Sequence, residues 1–168
     1  NTLKWAEIVS TRAIGVAGII CGGLAGGPVG TALIARHGLS PHAVSGRELR
    51  RELEAAGHRF ATHSDSEVAV HAYEQHGDAF LNKLDGMFGL ALWDRRRRRL
   101  VVARDAIGIK PIYYRLDGHE LMFASEAKAL LAVPGVPRRL DQAALAQYLS
   151  VGYVCAPNSI FDGIRKLE

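Results

Sequence analysis

The stretch Leu84-Asp85-Gly86-Met87-Phe88-Gly89-Leu90-Ala91-Leu92-Trp93-Asp94 decides the fold. Arg104-Asp105-Ala106-Ile107-Gly108-Ile109-Lys110-Pro111-Ile112-Tyr113-Tyr114 and Phe123-Ala124-Ser125-Glu126 follow it. Met87 to Trp93 is apolar at both alternating positions, and so is Leu100 to Ala103. A strand with two apolar faces needs a layer packed on each side. Asp94 and the run Arg95 to Arg99 between these segments predict an exposed hairpin connection. Ile112 to Arg115 and Leu121 to Ala124 predict a second hairpin around Asp117-Gly118, a favoured tight turn.

Working outward, helices flank these strands. Arg47 to Ala56 reads as a helix with Ser45 available as a cap, Leu49 and Leu53 one turn apart on one face, and Gly57 at its end. His58 to His63 reads as a short strand. Ser64-Asp65-Ser66-Glu67 has the spacing of a capping box and predicts a helix from Ser66 to about Gln75, stopped by Gly77. Asp78 is placed to cap a short helix ending near Leu84. Glu126 to Ala132 and Gln142 to Leu149 read as helices, the second capped by Asp141, while Pro134, Pro137 and Pro157 mark loops. Helices around doubly buried antiparallel strands predict a layered α+β domain.

Composition sets outer bounds. The 168 residues suit one domain with a sizeable core, at 48% hydrophobic and 23% charged residues. The net charge of +4 owes much to one local run, since Arg95 to Arg99 supply five of the 21 basic residues. No aromatic residues interleave with that run, which points to an exposed hairpin tip and away from nucleic-acid binding. Two cysteines, Cys21 and Cys155, make no disulfide framework, and a reducing cytoplasm is the simpler reading. Residues 13–35 carry no charge and would be long enough to span a membrane, but seven of them are glycine and one is Pro28. Each glycine costs a helix about 1 kcal/mol. A buried strand followed by a Gly-rich loop is therefore expected there, and a membrane partner is not. A basic or membrane-surface protein, built on residues 13–35 and the arginine run, stays open as a rival to a soluble enzyme.

The three motifs of the opening stretch, in this order, resemble the glutaminase domain of asparagine synthetases, the class II glutamine amidotransferases. Gly152-Tyr153-Val154, Ala156-Pro157, Ile160-Phe161 and Ile164-Arg165-Lys166-Leu167 are similar to that family's exit toward its synthetase domain. The resemblance covers Arg47 to Glu168 well and Ile14 to Ser40 poorly. It implies the four-layer αββα sandwich of N-terminal-nucleophile hydrolases, incomplete at the N-terminus. Residues 1–13 would then be an extension and 14–168 the glutaminase domain, degenerate over 14–46. The resemblance breaks off at Glu168, where the ATP-binding domain would start, and no Ser-Gly-Gly pyrophosphate motif occurs in the chain. No cofactor is implied for this domain; ATP and Mg²⁺ are implied only for the synthetase domain. Glutamine and a synthetase domain, or its equivalent, are the implied partners, and a homodimer is compatible with the resemblance.

The family's chemistry needs an N-terminal cysteine whose thiolate attacks the glutamine amide and whose own α-amino group acts as base. Its opening, Cys-Gly-Ile/Val-Ala-Gly, matches Ile14-Gly15-Val16-Ala17-Gly18, which puts Ile14 at the nucleophile position. Isoleucine has neither thiol nor hydroxyl and forms no thioester. Cys21, followed by Gly22-Gly23, would serve only after cleavage behind Ile20. An internal, apolar-flanked cysteine is more often a small buried hydrophobe. Counting back from Arg47-Glu48-Leu49-Arg50, Ser40 falls at the family's oxyanion asparagine and Pro41 at its oxyanion glycine. Proline has no N–H to donate, and one lost oxyanion donor costs about 100- to 1000-fold in rate. Gly26-Gly27-Pro28-Val29 is a weak counterpart of the family's Arg-Gly-Pro-Asp motif, without its arginine.

One substrate contact persists. The family's Ser-Asp-Thr-Glu holds the glutamine α-amino group through its aspartate, and Ser64-Asp65-Ser66-Glu67 puts Asp65 there. An aspartate in a helix's first turn also favours the macrodipole by itself. Arg104-Asp105 with Gly108 and Pro111 is expected to fix a turn and take no part in catalysis. Ser125-Glu126 is expected to cap a helix. The histidines suggest no metal site, because His71 and His76 are off the i, i+4 spacing of one helix face. The expectation is the glutaminase part of a glutamine-hydrolysing asparagine synthase, impaired in hydrolysis. The alternatives are a non-catalytic module that holds glutamine or docks a synthetase, or the glutaminase domain of another class II amidotransferase.

Overall fold

The computed structural model describes residues 46–168. The predicted features at Ile14, Cys21, Ser40, Pro41 and Ser45, and the apolar segment 13–35, lie outside the described residues. The chain divides into two compact units, which meet in sequence between Phe88 and Gly89.

The described part of the first unit is helical. Helix α1, Gly46–Ala55, turns its leucine stripe inward: Leu49 is 1% exposed and Leu53 is fully buried. Its end closes as a Schellman motif. Gly57, at φ 99°, donates to the Glu54 carbonyl and His58 N–H to the Leu53 carbonyl, each at 3.0 Å. Helix α2, Asp65–His76, packs against α1 and buries Val68, Ala69, Ala72 and Tyr73. It stops at Gly77, which donates to the Tyr73 carbonyl. A 3₁₀ helix, Gly77–Lys83, follows without a side-chain cap at its start, so the expected cap by Asp78 does not set that boundary. It buries Phe80 completely, edge-on to Tyr73 at a centroid distance of 5.4 Å.

Residues 58–63 do not form the expected strand. Two of their amides, Ala61 and Thr62, bond a side chain, the Glu67 carboxylate, and not a neighbouring strand. An extended stretch whose donors are taken by a carboxylate offers little to a ladder.

The second unit carries the strands. Strands β1, Gly89–Asp94, and β2, Arg99–Arg104, pair antiparallel with Leu90 opposite Ala103 and Leu92 opposite Val101. That face is the better buried one. The other, with Ala91, Trp93, Leu100 and Val102, is less covered, and Trp93 is 43% exposed. The two-sided burial expected of Met87 to Trp93 is thus uneven. In the turn, Asp94 accepts from the Arg96 and Arg97 amides, both at 2.9 Å, which leaves Arg95 to Arg98 exposed.

Strands β3, Tyr113–Asp117, and β4, Glu120–Ala124, form the second hairpin. Asp117 pairs with Glu120, so the two-residue turn is Gly118-His119, one position beyond the expected Asp117-Gly118. Gly118, at φ 58°, takes the left-handed conformation such a turn needs. Helix α3, Ala127–Leu131, lies on one face of this hairpin, where Leu130, Val136 and Ile164 gather Tyr113, Met122 and Ala124. Glu126 stands at its N-cap without capping it and pairs with Lys128, contrary to expectation. Helix α4, Gln142–Val151, is capped as predicted: Asp141 accepts from the Ala144 amide at 2.9 Å. The two-residue strand β5, Arg165–Lys166, adds to β3 to give the order β4-β3-β5. The described residues are therefore α+β, with one two-stranded and one three-stranded antiparallel sheet. None of their helices is long and apolar enough to cross a membrane.

Candidate functional site

The N-terminal turn of α2 is organised by one carboxylate. Glu67 accepts from the Ala61 amide at 2.6 Å, the Thr62 amide at 2.7 Å and the Thr62 hydroxyl at 2.5 Å. These bonds lower its pKa from 4.5 to about 2. The Thr62 hydroxyl is the largest cause and the Ala61 amide the next, because each stabilises the charged form. Thr62 then accepts from the Ser64 amide at 3.1 Å, and the Ser64 hydroxyl from the Ser66 amide at 3.2 Å.

This differs from the predicted capping box in two respects, the first being that the Ser64 hydroxyl accepts from the Ser66 amide and not from the Glu67 amide. Glu67 reaches past Ser64 to Ala61 and Thr62, so the whole loop, and not only the cap residue, is tied to the helix. The helix consequently begins at Asp65, one residue earlier than expected. Asp65 is half-buried in the first turn, between the capping Ser64 and the loop-holding Glu67. A carboxylate there, on a fixed turn, has the charge and rigidity to bind an ammonium group. Of the predicted site residues, Asp65 alone falls among the described residues; Ile14, Ser40 and Pro41 are outside them.

Arg104-Asp105 behaves as a turn-fixing pair. Asp105 is 4% exposed, and its two carboxylate oxygens accept from the Ile109 amide at 2.8 Å and the Lys110 amide at 2.9 Å. Its carbonyl accepts from Gly108 N–H at 2.9 Å. Gly108 sits at φ 73° with the Arg104 guanidinium against it, where a Cβ would lie 2.5 Å from the guanidinium carbon. Both carboxylate oxygens and the carbonyl of Asp105 accept from backbone amides, which fits a structural role.

Sequence reasoning missed a grouping one turn further along α2, beside Glu67. His58, on the segment leaving α1, meets His71 and Glu74 of α2. The usable signal was the i, i+3 pair His71 and Glu74, which share a helix face. Spacing between His71 and His76 concealed it, and His58 lies thirteen residues away in sequence.

Comparison with known proteins defines the class. Residues 45–168 match the family described as a glutamine amidotransferase domain. The chain belongs to that family, as the glutamine amidotransferase domain of asparagine synthetase relatives. It is 39% identical over 122 residues to asparagine synthetase (glutamine-hydrolysing) 3 of Bacillus subtilis, covering 72% of this chain and 20% of that protein. It is 51% identical over 84 residues to asparagine synthetase (glutamine-hydrolysing) 2 of Arabidopsis thaliana, covering 49% of this chain and 14% of that protein. A putative asparagine synthetase (glutamine-hydrolysing) of Mycobacterium bovis is 39% identical over 125 residues, covering 72% and 19%. The chain thus spans about a fifth or less of the length of these curated relatives.

Proposed function

We propose that this chain is the glutaminase part of a glutamine-dependent asparagine synthase, with glutamine as its ligand and impaired hydrolysis. The family membership of residues 45–168 carries this reading, together with relatives that are glutamine-hydrolysing asparagine synthetases. In the proposal residues 14–168 form the domain, of the four-layer αββα type, and residues 1–13 an extension. Ammonia from glutamine goes to a synthetase domain, or its equivalent, that uses ATP and Mg²⁺ to amidate aspartate. The glutaminase part itself needs no cofactor, and the protein works in the cytoplasm. Pairing of two copies belongs to the same proposal.

The residue assignments follow from register with the motifs of the family that the chain resembles. Asp65 binds the glutamine α-amino group, supported by its placement on the first turn of α2. Ile14 occupies the nucleophile position and forms no acyl-enzyme. Ser40 and Pro41 occupy the oxyanion positions, and Pro41 supplies no backbone donor. Binding therefore outlasts hydrolysis. The test uses the untagged 168-residue chain: ammonia release from glutamine by a coupled assay, and glutamine binding by calorimetry. The expected result is heat of binding without turnover, with the heat lost in Asp65→Asn. Steady ammonia release refutes the impairment. No heat with glutamine, or unchanged heat in Asp65→Asn, refutes the role of Asp65.

A further inference from the structure

His58, His71 and Glu74 bring three lone-pair atoms around one point. His58 Nδ1 lies 3.2 Å from His71 Nδ1, His71 Nδ1 lies 2.8 Å from Glu74 Oε2, and His58 Nδ1 lies 3.7 Å from the same oxygen. A positive charge between them would satisfy all three. A proton on His71 Nδ1 serves Glu74 well but leaves His58 Nδ1 sharing the same N–H at longer range. A metal ion serves the three together.

The triangle has the right size. Zinc binds imidazole nitrogen at about 2.0–2.1 Å and carboxylate oxygen at about 2.0–2.2 Å, so neighbouring ligands on a tetrahedron stand about 3.3 Å apart. The three distances here average about 3.2 Å. The point equidistant from the three atoms in their plane lies about 1.9 Å from each, and an ion at normal bond length sits slightly less than 1 Å above that plane.

The surroundings orient the donors. His58 Nε2 is 3.1 Å from the Gln75 side-chain oxygen, an acceptor only, which puts the proton on Nε2 and the lone pair on Nδ1. His71 Nε2 faces Glu67 Oε1 at 3.7 Å, and Glu67 is itself fixed by the Ala61 and Thr62 amides. Binding moves the His71 proton from Nδ1 to Nε2 through solvent, toward that carboxylate, with no net proton released. Two neutral imidazoles and the Glu74 carboxylate then coordinate, and Glu67 balances the remaining charge. The His58 and His71 side chains are 17% and 18% exposed, while Glu74 is 55% exposed. The Phe60 ring closes the His71 side edge-on at 4.7 Å. The Glu74 side is open to solvent, which supplies a water as fourth ligand.

We propose that His58, His71 and Glu74 form a site for a zinc-type divalent cation, with water in the fourth position. The ion would staple the segment leaving α1 to α2, enclosing the loop that carries Ala61 and Thr62. This proposal is independent of glutamine binding. The test is calorimetric titration of the untagged, chelator-stripped chain with Zn²⁺ alone, and Co²⁺ absorption as a probe of geometry. One equivalent of Zn²⁺ and intense tetrahedral Co²⁺ bands are expected. His58→Ala and His71→Ala should each weaken binding by more than the roughly 10- to 100-fold typical of lost outer partners, and Gln75→Ala by about that range. His119→Ala, in the β3–β4 turn, should leave it unchanged. Far-UV circular dichroism checks each variant, and Glu74→Gln carries the test if a histidine variant unfolds. Absence of Zn²⁺ binding, or affinity and Co²⁺ bands that persist in the ligand variants, overturns the proposal.

Discussion

Replacing Asp105 by asparagine separates a turn-holding carboxylate from a catalytic one. The change keeps shape and volume but converts one of two acceptor oxygens into an NH₂ group. In the native turn the oxygens take the Ile109 and Lys110 amides at 2.8 and 2.9 Å, and the side chain is 4% exposed. Asparagine satisfies one amide and sets a donor against the other. A hydrogen bond to a charged group is worth about 1.5–3 kcal/mol, and an unmet buried donor costs about 1–3 kcal/mol. The surviving bond also loses its charge assistance. Together these give a destabilisation of about 2–4 kcal/mol. For a chain of this length each kcal/mol shifts Tm by about 2–4 °C, so a drop of about 5–15 °C is expected. Urea unfolding followed by circular dichroism measures the energy, and calorimetric glutamine binding by the folded variant at low temperature measures any direct role. A loss below about 1 kcal/mol refutes the turn argument. Unchanged stability with abolished glutamine binding would instead place Asp105 in the site.

Three further predictions rest on neighbouring geometry. Gly108→Ala forces φ 73° on a residue with a Cβ and drives that Cβ to 2.5 Å from the Arg104 guanidinium carbon; a loss of about 1–3 kcal/mol in urea unfolding is expected, and neutrality would refute the close packing. Leu53→Ala, at a fully buried position, should cost about 2–5 kcal/mol, and a loss under about 1 kcal/mol would show that the α1 face is not core. Glu67, with its pKa lowered from 4.5 to about 2, contributes stability that is complete above the unfolded value and is lost as pH falls from 4.5 toward 2. Glu67→Gln should flatten that part of the pH–stability profile, and an unchanged slope would refute the loop-holding role.

Much of this architecture was legible because its signals are local. Leu49 and Leu53 on one face, Gly57 behind them, Asp141 before Gln142 and Gly118 in a hairpin each act within a few residues. The errors arose where a competing contact won. Residues 58–63 have strand composition, but Glu67 takes their amides from the far side of Ser64. Glu126 has the position of a cap and spends its carboxylate on Lys128. Strand β5 is two residues long and depends on β3, far away in sequence, so no periodicity announces it. The histidine grouping has the same origin, since His58 reaches α2 only after the Schellman turn reverses the chain. The helix start at Ser64-Asp65 was legible as a capping motif, while the bonds that join Thr62 to Glu67 and Ser64 ahead of it became visible only in three dimensions.

Membership and activity rest on different residues. The matched region, residues 45–168, contains the hairpins, the Asp105 turn and the α2 cap, all of which hold shape. The reaction asks for something the scaffold does not supply: a nucleophile beside a free amine, and two donors aimed at a developing oxyanion. In the register proposed above those duties fall to positions 14, 40 and 41, ahead of the matched region. An intact scaffold therefore says little about turnover. Nor would Ile14→Cys alone restore it. While Ala13 remains attached, the nitrogen of residue 14 is an amide, its lone pair delocalised into the carbonyl and useless as a base. Under the same proposal, with that amine freed, Pro41 still withholds an oxyanion donor worth about 100- to 1000-fold in rate. The proposal therefore predicts that hydrolysis recovers only when the cysteine, its free amine and the oxyanion donor are supplied together, and that they combine more than additively, because each one missing leaves the same step blocked.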